Sequence, residues 1–158
     1  MKGLMFMFAI IGILFMGNYR RSDLAELRLA TVQFQQLEAA QAAGHRLVPG
    51  LDQCFGNLGF GGLGYRYINT SLIDTNVDLL QPEVMIYVPG PNGIRQLAAV
   101  EYVVPVAAWH ATQTGWPQLM GHQFHLNSSL DAYVLNIWVW EDNPSGMFED
   151  WNPRVSCA

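Results

Sequence analysis

Apolar residues recur at helical spacing early in the chain and at strand spacing later, and the changeover divides it. Leu24, Leu27, Ala30 or Thr31, Phe34 and Leu37 fall three or four residues apart. Arg28, Gln35, Gln36 and Glu38 occupy the other side, so the segment reads as one amphipathic helix. Asp23 is placed to cap its start, with Glu26 three residues on as in a capping box, and Gly44 is placed to end it.

Beyond Leu51 the pattern is that of strands separated by turns. Segments 65–69, 84–88, 94–104 and 132–140 are rich in Val, Ile and aromatic residues, and a fifth strand is possible over 120–126. Pro89-Gly90-Pro91-Asn92-Gly93 reads as a hairpin turn, and Asp142-Asn143-Pro144-Ser145-Gly146 as another. Strands joined by turns predict an antiparallel sheet. The fold class expected is therefore α+β: one N-terminal helix packed on an antiparallel sheet of four or five strands. The glycine run at 56–64 invites a phosphate-loop reading, but it leads into a strand and lacks the Gly-Lys-Ser/Thr ending. A flexible entry to the first strand is expected there instead.

Ahead of the helix lies a different segment. Lys2 precedes an apolar run from Leu4 to Met16, interrupted only by Gly12. As a helix it would span roughly 20 Å, against about 30 Å for a bilayer core, so residues 1–17 read as a signal peptide. The alternative is a retained anchor, since Phe15 departs from the small-residue cleavage pattern and Arg20-Arg21 follow. The expectation is a secreted or periplasmic protein with one domain over residues 22–158. In an oxidising compartment Cys54 and Cys157 are expected to pair, closing a loop of about a hundred residues and contributing on the order of 4 kcal/mol.

Composition narrows the partners. Only 13% of residues are charged while 51% are hydrophobic, and the net charge is −5 with no run of Lys or Arg. Nucleic acid is disfavoured because counterion release needs a basic face. No membrane association is expected after the leader is removed, which leaves a small molecule or a protein as partner.

Candidate chemistry comes from polar residues inside apolar strands. Glu101 interrupts 97–104, Arg66 interrupts 65–68 and Asn136 interrupts 135–138. A buried carboxylate must be paired, protonated or bound to a cation, so the three are expected to meet on one sheet face as a polar cluster. Glu101 is expected to share that face with Leu97, Ala99 and Val103. A solvated face is the alternative. Tyr67 and Trp138, with Trp140, could wall a ligand pocket beside them. His122 and His125 with Glu101 are a weaker metal set, because a three-residue spacing converges on a helix but diverges on a strand. A carboxylate pair drawn from Glu83, Glu101 and Glu141 is available for glycoside chemistry, though nothing specifies it. No nucleophile motif is present and no cofactor is expected.

Longer motifs carry a resemblance. Gly62-Leu63-Gly64-Tyr65, Ile86-Tyr87-Val88-Pro89 and Ala99-Val100-Glu101-Tyr102-Val103-Val104 are its first parts, with Gly121-His122-Gln123-Phe124. Trp138-Val139-Trp140, Asn143-Pro144-Ser145-Gly146-Met147-Phe148 and Trp151-Asn152-Pro153-Arg154-Val155-Ser156-Cys157 complete it. The chain resembles a family of small exported bacterial proteins of unassigned function. In that family histidine is common at the positions of Arg66 and Asn136, which with Glu101 implies a possible metal set. The substitutions here imply that any such site is altered and that Arg66 neutralises Glu101. The reading reached is a non-enzymatic binding module using Arg66, Glu101, Asn136, Tyr67 and Trp138. The alternatives are a metal-dependent hydrolase using Glu101 with His122 or His125, and a structural or protein-interaction module.

Overall fold

The computed structural model describes residues 21–157, so the expected leader lies outside the described residues. The fold is α+β, with an antiparallel sheet and a Cys54–Cys157 disulfide. No helix among the described residues is long and apolar enough to cross a membrane.

The expected single helix is two. Residues 21–31 form helix α1, so Asp23 lies inside it rather than at its cap. The buried Thr31 hydroxyl donates to the Leu27 carbonyl at 2.7 Å, a back-bond that bends helices. The chain tightens into a 3-10 turn at Val32–Gln35, becomes extended at Gln36, and resumes as α2, Leu37–Ala42. Gly44 ends α2 as expected. At φ +104 it lets its own N–H reach the Gln41 carbonyl and the His45 N–H reach that of Ala40.

Six strands make the main sheet in the order β1-β2-β3-β4-β8-β7. They are β1 Cys54–Asn57, β2 Gly61–Ile68, β3 Val84–Pro89 and β4 Arg95–Pro105. A short helix α3, Val106–His110, follows β4 and was not expected. β5 Gln118–Leu119 pairs with β6 His122–Gln123 as a separate ribbon. β7 His125–Asn127 and β8 Ala132–Ile137 return to the main sheet. The possible strand at 120–126 is thus divided between β6 and β7. β8 stops at Ile137, three residues short of the expected end.

The glycine run is not a loose entry. It forms β1, the turn after it and the start of β2, and the C-terminal tail lies against it through paired hydrogen bonds between Gly62 and Asn152. A Cβ at Gly61 would sit 2.1 Å from the Asn152 carbonyl oxygen, so only glycine admits the tail there. The disulfide anchors the same tail to β1.

The sheet buries both faces. One carries Tyr67, Met85, Tyr87, Leu97, Val100, Tyr102 and Ile137, packed under Leu27 and Ala40 of the helices. The other carries Ile68, Val84, Ile86, Ala99, Val103 and Val134, covered by Val48, Leu51, Phe55, Ile73, Leu130 and Trp151. A bulge decides which residues face which way. Ile86 pairs with Ala99 and Tyr87 with Leu97, which leaves Ala98 as the extra residue on β4. Leu97 therefore points to the helical side, opposite the face it was expected to share with Glu101.

Candidate functional site

Arg66, Glu101 and Asn136 are buried on the second face, the one covered by loops. Glu101 of β4 stands directly opposite Asn136 of β8. Arg66 of β2 is separated from β4 by β3, where its row runs through Ile86 to Ala99. Two strand spacings amount to about 10 Å, a span the long arginine side chain crosses diagonally. Its Nη2 donates to Glu101 Oε1. Burial pushes the Glu101 carboxyl above the usual range, and the Arg66 charge and hydrogen bond oppose that shift.

Asp150, from the C-terminal tail, completes the group. Its Oδ1 accepts from Asn136 Nδ2 at 2.7 Å and its Oδ2 pairs with His125 Nε2 at 3.0 Å. Burial works to raise the Asp150 carboxyl, but the His125 and Asn136 hydrogen bonds and the Arg66 charge outweigh it and hold the carboxyl low. The hydrogen bond to Asp150 raises His125 against the opposing effect of burial. Asp150 was not singled out from sequence. It lies in an irregular tail whose position depends on the disulfide and on the Gly62–Asn152 contact, and neither supplies a local signal at residue 150.

The ionised Asp150 only accepts, so the Asn136 amide must turn its NH2 toward it. That leaves Asn136 Oδ1 buried without a partner, and Arg66 Nε is buried without one as well. Both residues sit in the wall of a half-open cavity of about 210 Å³. Glu101 and Asp150 contribute to the same wall, and Phe55, Leu63, Val134 and Trp151 supply apolar surface. Two lining side chains with an unsatisfied donor and an unsatisfied acceptor, in a largely apolar cavity, suit a ligand that carries the complementary pair.

The other named residues go elsewhere. Tyr67 lies on the helical face by strand alternation; it packs edge-on against Tyr87 at 5.0 Å, and its hydroxyl accepts from Arg95. Trp138 shares the face of Asn136, but its indole N–H is held by the Glu149 carbonyl at 2.6 Å and it does not line the cavity. Trp140 falls beyond β8, so the alternation no longer governs it, and its indole donates to Thr31 on the helical side at 3.0 Å. The aromatic wall is therefore Phe55 and Trp151, not the expected Tyr67 and Trp138.

The histidines divide. His125 joins Asp150, while the His122 ring stacks on Phe148 with centroids 3.6 Å apart. Neither lines the cavity. Among the described residues no group of three or more His, Cys, Asp or Glu is arranged to hold a metal ion. The metal set implied by the resemblance does not fit either. Its two histidine positions hold Arg66 and Asn136, and the guanidinium already engages Glu101.

A second buried carboxylate lies away from this cavity. Glu83 Oε2 accepts the Val103 N–H at 3.0 Å, on the stretch of β4 that runs past the end of β3. Burial pushes its pKa up to about 7.

Comparison with protein-family models, with curated proteins and with solved structures finds no match. The functional reading therefore rests on the site itself.

Proposed function

We propose that this is an exported, non-enzymatic module that binds a small neutral molecule in the cavity walled by Arg66, Glu101, Asn136 and Asp150. The observation that carries the reading is that Arg66 and Asn136, which both line one cavity, each keep a buried polar atom without a partner, Nε and Oδ1. A buried polar group left unpaired costs about 1–3 kcal/mol, so a ligand offering an acceptor to one and a donor to the other regains that energy. Amides and alcohols meet this requirement. The export part of the reading draws on the disulfide and on the apolar segment at 4–16.

The test is a nuclear magnetic resonance titration of the mature, disulfide-bonded protein with butanamide. The Arg66 Nε–H and Asn136 side-chain NH2 signals are expected to move together and saturably. If both stay fixed up to the solubility limit of the amide, the reading is wrong. Metal analysis of the same sample addresses the hydrolase reading, which has less support because Arg66 engages Glu101. Stoichiometric retained metal would reverse that preference. One observation favours the interaction-module reading: Leu58 is fully exposed and Phe60 largely so at the tip between β1 and β2. Concentration-dependent sedimentation that Phe60→Ser abolishes would support it.

A further inference from the structure

We infer that the natural ligand is a neutral amphiphile, with its hydrogen-bonding head at Arg66 and Asn136 and an apolar tail in the adjoining cavity; this rests on the binding reading above. A second, half-open cavity of about 250 Å³ lies on the same sheet face. Leu51, Arg66 and Leu130 line both, so the two share a boundary built from those side chains. The first cavity holds most of the polar lining, with Arg66, Glu101, Asn127, Ser129, Asn136 and Asp150. The second is walled by Val48, Ile68, Ile73, Val103 and Ala132, with Thr70 its uncharged polar member. At about 30 Å³ for each water-sized group, the second cavity has room for roughly eight such groups.

Arg66 joins the two environments. Its guanidinium is drawn to Glu101, and its methylenes can serve the apolar wall, the division that long basic side chains commonly make. The head should be neutral. A carboxylate has no proton to donate to Asn136, and the nearby cations Arg66 and His125 are already engaged by Glu101 and Asp150. A primary amide or an alcohol offers both a donor and an acceptor.

The experiment is a calorimetric and NMR titration of the mature, disulfide-bonded protein with butanamide, hexanamide, octanamide and octanoate. Affinity is expected to rise about fourfold per methylene, about 250-fold from butanamide to octanamide. Methyl signals of Ile68, Ile73 and Ala132 should respond only to the longer amides, and octanoate should bind at least about tenfold more weakly than octanamide. Ile73→Trp, which fills the apolar cavity from a half-buried loop position, should reduce octanamide affinity to near that of butanamide. If butanamide moves Arg66 and Asn136 but affinity does not depend on chain length, the amphiphile inference is overturned and the binding reading stands. Unchanged octanamide affinity in Ile73→Trp overturns it in the same way. If no amide perturbs Arg66 or Asn136, both fall.

Discussion

Arg66 and Glu101 form a buried ion pair although their strands never touch, because β3 runs between them and the arginine crosses it. Removing one partner leaves an uncompensated buried charge. Arg66→Met is therefore expected to destabilise the protein by roughly 3–5 kcal/mol, measured by urea unfolding at neutral pH. Combining it with Glu101→Leu should recover much of that loss. A double variant no more stable than Arg66→Met alone would mean that the pair is not the source of the effect.

Glu83 makes stability fall as pH rises. Burial raises its folded-state pKa to about 7, while the Val103 N–H opposes the shift. A raised pKa contributes stability below the unfolded value near 4.5, and that contribution is lost as pH climbs through about 7. Glu83→Gln keeps an acceptor for Val103 but cannot ionise. At pH 8 it should be more stable than the natural protein by up to about 3 kcal/mol, with little difference near pH 4. Parallel stability curves for the two proteins across that range would contradict this.

The His125–Asp150 pair acts over another window. His125 is raised, so its contribution is full below about 6.5 and fades as pH rises past its folded value. Asp150 is lowered, so its contribution is present above about 3.9 and is lost on further acidification. His125→Ala should therefore cost most near pH 5 and least above pH 9. Both side chains are more than a third exposed, which limits the effect to about 1 kcal/mol or less. Thermal unfolding at the two pH values checks it, and a loss independent of pH would point to packing instead.

The disulfide ties the C-terminal tail to β1 and with it part of the cavity wall. Cys54 and Cys157 are 103 residues apart, and the tail between the sheet and Cys157 carries Asp150 and Trp151. Replacing both cysteines with alanine should cost about 4 kcal/mol. It should also increase amide hydrogen exchange at Asn152, whose N–H bonds to the Gly62 carbonyl. Unchanged exchange there would show that the tail is held without the bridge.

What could be read from the chain follows from how local each feature is. Strand alternation is a backbone property, so a charged or amide residue inside Tyr65-Arg66-Tyr67, Val100-Glu101-Tyr102 or Leu135-Asn136-Ile137 already marks the same side of its own strand. The Schellman ending at Gly44 and the turn at 89–93 were legible for the same reason. The break at Thr31 was not, because the back-bond to Leu27 is reinforced by Trp140 from the far end of the chain.

Residue order along the sequence determined that polar residues would be embedded in apolar strands and that two cysteines would be available to pair. The tertiary structure alone decided that those residues would meet, and with what. Antiparallel pairing brings Asn136 opposite Glu101, the bulge at Ala98 turns Leu97 to the other face, and the tail delivers Asp150 and Trp151. Each of these depends on contacts between segments remote in sequence. Alternation says which side of a strand a residue takes; only packing says which core that side becomes and what closes over it.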